Sequence, residues 1–298
     1  MMVMKKSIVF TLIIASGCSG AAGNVAPPSS IDAGFRIHKG SGSSPLIYAN
    51  YGQAVLIYNT SGDKVGSLGD FSRAGGLCSD AYGDVTVADS GRQVVYVYQG
   101  GSLPVNVIDD HPYGPVSCAI DPTTGKLAVI NGNNVAVYQP GTTSGSPILY
   151  TASNILINAY GAYDSSGNLY IDGTSSKHGM AIAVLDKGSS NFVAVAVGGL
   201  GNRNHRASGV QWDGQYIDIG DSLAGSIYRM SVSGSTGTIV QTIKARGWFH
   251  HYPIEFAIYG KRLFDPLGDK LLFILWPQGR KKLGGFLGDI GSQITVTP

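Results

Sequence analysis

The sequence predicts an all-β fold, a six-bladed β-propeller with four-stranded blades. Glycine occupies 43 of the 298 positions, about twice its usual share, and charged residues make up only 13 %. Short segments rich in Val, Ile and Tyr recur from about residue 45 onwards, as expected for strands. A pattern of four strands repeats about every 45 residues, which is typical of propeller blades. This composition excludes a helical bundle, collagen and a disordered chain.

Each repeat is anchored by a turn that begins with aspartate and usually contains glycine. The anchoring residues Asp80, Asp121, Asp164 and Asp213 follow one another at intervals of 41 to 49 residues. A fifth copy at 256–264 keeps the glycine and lacks the aspartate. An aspartate carboxylate accepts backbone N–H groups two residues further on, and glycine adopts positive φ, so we expect these aspartates to be structural rather than catalytic.

The number of blades follows from the third strand of each repeat, which is the most regular one. Six copies occur, at 54–58, 94–98, 134–138, 181–185, 226–230 and 270–275. The first repeat, 46–68, has no convincing inner strand, whereas 293–297 is a surplus strand at the other end of the chain. We therefore expect 293–297 to complete the first blade and close the ring. The alternative inner strand, 35–38, is shorter and too polar.

The N-terminus has the pattern of an export signal. Lys5 and Lys6 precede the apolar run 8–15, which is too short to span a bilayer. The following residues 15–18 resemble the lipobox of bacterial lipoproteins, in which the cysteine is lipidated, and here that residue is Cys18. Position 15 departs from the lipobox because it is Ala rather than Leu, so cleavage near residues 21–22 stays open.

These features divide the chain into three parts. We expect a lipoprotein-type signal peptide at 1–18, a flexible tether at 19–44 that is rich in Gly, Ala, Ser and Pro, and the propeller at 45–298. We expect the product to be exported to a bacterial cell envelope, in the periplasm or at the surface, and held there by the lipid on Cys18.

Several turns carry a resemblance to known propellers. The segment 164–171 resembles the turns of six-bladed propellers of the NHL and TolB-like superfamily. The segments 77–80, 117–125 and 209–214 are similar to those of uncharacterised bacterial propeller lipoproteins. The resemblance covers about 45–298 and implies the fold, whereas members of this superfamily include binding modules, lactonases and lyases.

Two cysteines remain after cleavage at Cys18, and an exported chain favours their pairing. Cys78 and Cys118 lie two and three residues before the turn aspartates of consecutive repeats, near the ends of inner strands. We expect a Cys78–Cys118 disulfide. The one-residue offset is a conflict, because successive strand residues face opposite sides, and a β-bulge in either strand would remove it.

Topology places a ligand-binding surface on one face of the ring. In a blade with strands A, B, C and D, the D-to-A and B-to-C connections open on one face, and the A-to-B and C-to-D turns open on the other. Aromatic rings and arginines concentrate on the first face, which suits glycans or anionic peptides. The predicted ligand-binding residues are Arg203, His205, Arg206, Arg246, Trp248, His250, His251, Tyr252, His111 and Tyr113.

The function predicted from these features is a binding or scaffold module at the cell envelope. We expect no catalytic residue, metal or other cofactor, and a monomer whose partners are a glycan, an anionic peptide or an envelope protein. A formal net charge of +2 argues against nucleic acid. The membrane is contacted only through the lipid. The alternative is an exported metal-dependent lyase or lactonase-like hydrolase with its site in the central channel, where Glu255 and Asn158 are the polar candidates.

Overall fold

A computed structural model describes residues 44–100, 103–142, 146–202, 204–244, 255–267, 270–279 and 281–297. Its strands form six sheets, five of four strands and one of five. Each innermost strand contacts the innermost strands of the two neighbouring sheets, and the last of these contacts closes the circle. The protein is therefore a six-bladed β-propeller, as the sequence predicts. Cys18 and the predicted signal peptide and tether lie outside the described residues, apart from residue 44.

The first three blades run from an inner strand A to an outer strand D in the following order. Blade 1 contains β25 (Ile294–Thr297), β1 (Leu46–Tyr51), β2 (Ala54–Asn59) and β3 (Lys64–Leu68). Blade 2 contains β4 (Ala74–Ser79), β5 (Val85–Asp89), β6 (Val94–Tyr98) and β7 (Asn106–Asp109). Blade 3 contains β8 (Pro115–Ile120), β9 (Leu127–Asn131), β10 (Val135–Tyr138) and β11 (Ile148–Tyr150).

The other three blades follow the same order. Blade 4 contains β12 (Ile157–Tyr163), β13 (Leu169–Thr174), β14 (Met180–Leu185) and β15 (Val193–Ala194). Blade 5 contains β17 (Ala207–Trp212), β18 (Ile217–Asp221), β19 (Ser226–Ser233) and β20 (Thr236–Lys244). Blade 6 contains β21 (Ala257–Tyr259), β22 (Arg262–Pro266), β23 (Lys270–Leu275) and β24 (Lys282–Leu287).

Blade 5 differs from the predicted four strands by one short addition. The strand β16 (Ala196–Val197) pairs in parallel with the start of β20, opposite Thr236 and Gly237. A Cβ atom at Gly237 would lie 2.7 Å from a methyl of Val197, so the missing side chain makes room for this fifth strand.

The ring closes through the two ends of the chain. Strand β25 pairs antiparallel with β1, with Leu46 opposite Thr297 and Ala49 opposite Ile294. This pairing is the closure predicted from the surplus strand at 293–297. Because β1 is the first strand along the chain and β25 is the last, blade 1 forms only when both ends are in place.

The core lies between the blades. Six clusters of buried apolar side chains each join two consecutive blades, so one sheet face packs against the blade before and the other against the blade after. In β4, Leu77 packs towards blade 1 and its neighbour Cys78 towards blade 3. In β8, Cys118 packs towards blade 2 and Ala119 towards blade 4.

The disulfide between Cys78 and Cys118 is present, with a Cα–Cα distance of 5.7 Å. The expected conflict from the one-residue offset was wrong. A disulfide between consecutive blades joins a side chain that faces the following blade to one that faces the preceding blade. Because successive strand residues face opposite sides, one cysteine must lie an even number and the other an odd number of residues before its turn aspartate. Bulges do occur in both strands, but each lies before the cysteine, between residues 74 and 77 and between residues 115 and 117.

The turn aspartates act structurally, as predicted. Asp80 Oδ1 accepts the backbone N–H groups of Tyr82 and Asp84. Asp164 and Asp213 accept equivalent N–H groups in blades 4 and 5, and Asp121 accepts one in blade 3. Within the described residues, no helix is long and apolar enough to cross a membrane.

Candidate functional site

The ring has two faces, and hydrogen bonds between neighbouring connections define each of them. We call the face with the D-to-A and B-to-C connections the D–A face; there Arg206 O accepts the N–H of Ser222 across the two kinds of loop. We call the opposite face the A–B face; there the Gln99 amide donates to Asp84, from a C-to-D connection to an A-to-B turn.

Four of the predicted ligand-binding residues belong to the described chain. His111 and Tyr113 lie in the loop between β7 and β8, and His205 and Arg206 lie in the loop before β17. These loops are two blades apart on the D–A face. His111 and Arg206 are exposed, and Tyr113 is half-buried. The remaining predicted residues lie outside the described residues: Arg203, Arg246, Trp248, His250, His251 and Tyr252.

His205 holds its own loop in place. Its Nδ1 lies 2.5 Å from Asp221 Oδ2, and Asp221 is completely buried at the end of β18. Asp221 Oδ1 also accepts the backbone N–H groups of Arg206, Leu223 and Ala224. One carboxylate therefore ties the D-to-A loop to the B-to-C turn of blade 5, and His205 supports that tie.

Asp89 forms the same tie in blade 2. It is buried at the end of β5, and its two oxygens accept the N–H groups of Ser72 and Arg73 from the D-to-A loop. They also accept the N–H groups of Gly91 and Arg92 from the B-to-C turn. In these two blades, the polar groups of the D–A face are organised around a structural aspartate.

A cavity of about 570 Å³ opens on the A–B face, at the mouth of the central channel. Inner-strand ends and A-to-B turns from several blades form its wall, and the disulfide is part of it. Aromatic side chains stand at the mouth, with Tyr82 87 % exposed and Tyr163 and Trp212 half-buried. Its charged lining residues are the carboxylates Asp80, Asp121 and Glu255.

Glu255 is the buried carboxyl group of this cavity. The residue lines the cavity and is 3 % exposed, and its buried Oε2 has no hydrogen-bond partner. The backbone N–H of Leu77 bonds to the carboxyl group. Burial, with a further contribution from the charge of Asp172, raises the pKa of Glu255 well above its usual range.

Asp172 completes a pair of buried acids next to the channel. Its Oδ1 accepts the backbone N–H of Tyr160, the Gly209 N–H also bonds to the carboxyl group, and Oδ2 has no partner. Burial raises the pKa of Asp172 to about 7 despite these hydrogen bonds. Among the described residues, no group of three or more His, Cys, Asp or Glu side chains is placed to hold a metal ion.

Sequence reasoning did not find this cavity. A usable signal was present in two repeats, because the last residue of the inner strand before the turn aspartate is aromatic there, Tyr163 and Trp212. The same position is Ser79 in blade 2 and Ile120 in blade 3. The sequence predicts Glu255 as a polar candidate in the central channel, but its position beside Asp172 depends on a contact between distant repeats.

Comparisons with known proteins agree with the fold. No protein family matches the sequence, and no curated protein matches it. Among solved structures, 963 chains match, so the shape is common and does not by itself indicate one function. One of them belongs to the crystal structure of a nidogen/laminin complex, with 16 % identity and a TM-score of 0.67, covering 86 % of this chain and 99 % of that one. This chain is thus similar in fold to that propeller.

Proposed function

We propose that the protein is an exported binding or scaffold module, held at a bacterial cell envelope by a lipid on Cys18. The observation that carries this proposal is the cavity of about 570 Å³, because concave pockets with convergent polar groups are the usual ligand sites of proteins. Of the two faces, the A–B face has this cavity and is the first candidate. The D–A face is the alternative, since His111 and Arg206 are exposed there.

The rigidity of the ring supports a role in recognition. The disulfide fixes blade 2 to blade 3 beside the cavity, and buried aspartates fix the loops of blades 2 and 5. A preorganised site loses little conformational entropy when it binds, so its contacts contribute more fully to affinity. The matched propeller chain comes from a nidogen/laminin complex, and by analogy a protein partner is included in the proposal.

Export is supported by the disulfide together with the N-terminal sequence. Disulfides persist in oxidising compartments outside the cytoplasm, and Lys5, Lys6 and the apolar run 8–15 have the pattern of a signal peptide. Lipidation of Cys18 is tested by expressing Cys18→Ala in a bacterium with metabolic labelling by a fatty-acid analogue. We expect the variant to lose both the fatty-acid label and its recovery in the membrane fraction. A variant that stays labelled and membrane-bound contradicts the anchor.

Binding is tested with glycan, peptidoglycan and acidic-peptide arrays, followed by variants of each face. If the D–A face binds the ligand, Arg206→Ala and Trp248→Ala weaken binding by about 2 kcal/mol each, the size of a hot-spot loss. If the A–B face binds it, Tyr82→Ala does so instead. Folding is checked by circular dichroism. If no ligand binds in any array, the binding module is contradicted. A stoichiometric metal in the purified protein also counts against the binding module and favours the lyase or hydrolase alternative.

A further inference from the structure

The cavity on the A–B face is lined by acidic residues and, within the described part of the chain, by no basic residue. The acidic residues are Asp80, Asp121 and Glu255. Although burial acts to raise it, hydrogen bonds from Thr124 and Thr123 keep the pKa of Asp121 below its usual value, so this carboxylate stays ionised. Lys187 reaches the rim, where its Nζ donates to Thr123 Oγ1, 3.0 Å away.

The carboxylates at the mouth are occupied by their turns, whereas Glu255 is not. Asp80 Oδ1 accepts two backbone N–H groups, and both oxygens of Asp121 accept hydrogen bonds from its own turn. Glu255 has Oε2 unpartnered although the residue is only 3 % exposed and lies on the cavity wall. A buried acceptor without a partner costs free energy, and a donor supplied by a ligand removes that cost.

The surroundings of Glu255 determine what kind of donor fits. The lining of the cavity includes the apolar residues Ala257, Ile258 and Val296. It also includes the aromatic residues Tyr163 and Trp212, and aromatic rings attract cations. A cavity whose lining combines apolar residues, aromatic residues and a carboxyl group matches a ligand that has an apolar stem and a cationic head.

We propose that this cavity binds an organic cation, an ammonium or guanidinium group on an apolar stem, with Glu255 as its carboxylate partner. The inference rests on the proposed binding function and names the chemistry of its ligand. The same group occurs on free alkylamines and on Lys or Arg side chains of a peptide, and the experiment separates these two sources.

Binding of such a cation is coupled to proton release. The groups that face Glu255 are Asp172 from β13, Tyr160 from β12 and the backbone N–H of Leu77 from β4. Burial favours the protonated form of Glu255 in the free protein, and a bound cation favours the ionised carboxylate. Affinity for the cation therefore rises with pH, until the carboxyl group is ionised in the free protein as well.

The test is titration calorimetry on the full chain with its disulfide intact. The probes are n-butylammonium, n-butylguanidinium, Nα-acetyl-lysine amide, neutral n-butanol and calcium chloride. We expect the cations to bind, n-butanol not to bind, and proton release to appear as a dependence of the heat on buffer ionisation. Tighter binding of the lysine amide than of n-butylammonium assigns the site to a peptide side chain, and the reverse assigns it to a free amine.

Three variants make the result specific. Glu255→Gln keeps the shape and lowers affinity about tenfold or more, because the bond to a charged acceptor is lost. Tyr82→Ala, at an exposed position, lowers it about two- to fivefold through the lost cation–π contact. Asp186→Asn removes one charge from an exposed C-to-D turn of the same face and leaves affinity unchanged.

The proposal is overturned if no cationic probe binds, if n-butanol binds as well as the cations, or if Glu255→Gln binds like the wild type. It is equally overturned if calcium binds stoichiometrically and excludes the organic cations. The proposed binding module can hold even if this inference fails. An array ligand whose affinity is the same for wild type and Glu255→Gln supports the binding module and not the cation site.

Discussion

At the scale of single residues, the buried aspartates of this ring fall into two kinds. The carboxylate of Asp89 accepts four backbone N–H groups and pairs with Arg92, so its charge is fully compensated. Asp172 is equally buried, but Oδ2 has no partner and burial raises its pKa to about 7. The same residue type is therefore fully hydrogen-bonded at one site and buried with an unpartnered oxygen at the other.

We predict that Asp→Asn substitutions at these two sites have opposite effects. The folded pKa of Asp172 lies above the unfolded value of about 4, so its contribution to stability is full below about pH 4 and is lost as pH rises towards 7. Asp172→Asn cannot ionise, so above neutral pH it raises the free energy of unfolding, by on the order of 2 kcal/mol. Asp89→Asn lowers it by about 2 kcal/mol, since an amide N–H₂ then faces backbone donors.

Urea unfolding of both variants between acidic and alkaline pH measures these effects. The pH dependence attributable to Asp172 disappears in Asp172→Asn and is retained in Asp89→Asn. A loss of stability in Asp172→Asn at alkaline pH shows that the carboxylate has a compensating partner there and contradicts the assignment.

The disulfide provides a second prediction at this scale. Replacing both Cys78 and Cys118 by Ser frees a loop of 40 residues in the unfolded chain. The chain-entropy estimate for such a loop gives a loss of about 4 kcal/mol as an upper figure. Thermal unfolding of the double variant beside reduced wild-type protein measures it. If the two differ strongly from each other, the serines perturb the packing of blades 2 and 3 in addition.

At the scale of elements, stability depends on the interfaces between blades. Arg229 on β19 lies between two aromatic rings, with its guanidinium carbon 4.6 Å from the ring centre of Tyr216 and 5.5 Å from that of Trp276 in blade 6. It forms an ion pair with Asp213, and its Nε lies 3.5 Å from Oδ1 of the completely buried Asp218. Burial, together with the charge of Asp213, raises the pKa of Asp218 to about 9.

We predict that Arg229→Met costs about 3 kcal/mol, because it leaves the carboxylate of Asp213 without its counter-charge. The double variant Arg229→Met with Asp213→Asn recovers part of the loss, since that side chain is then neutral. Chemical denaturation of the single and double variants gives the coupling between the two positions. Purely additive effects show that Arg229 acts through its ring contacts and not through Asp213.

At the scale of the whole molecule, closure makes the blades interdependent. Strand β25 supplies the inner strand of blade 1, and its side chains also pack against blade 6. We predict that truncation after Ser292 unfolds all six blades in one transition, because it opens the ring on both sides of blade 1. Circular dichroism and limited proteolysis of the truncated chain measure this. A stable proteolytic half shows that the blades fold in independent groups.

Much of this architecture can be predicted from the sequence, because it depends on local residue patterns. Six regular third strands predict six blades, and one surplus strand at 293–297 predicts how the ring closes. The positions of Cys78 and Cys118 in consecutive repeats predict their bond. Each of these inferences needs only the spacing of residues within a repeat or between adjacent repeats.

The sequence by itself determined the repeat, the closure and the disulfide, whereas only the tertiary structure decided where the chemistry lies. His205 has the pattern of a ligand-binding residue, yet its ring bonds to Asp221 of the adjacent strand. Glu255 and Asp172 become neighbours, and Tyr82, Trp212 and Glu255 come to share one cavity, although these residues belong to different blades. A cavity at the ring centre is formed by side chains far apart along the chain, so the pattern within a single repeat does not predict which of them meet.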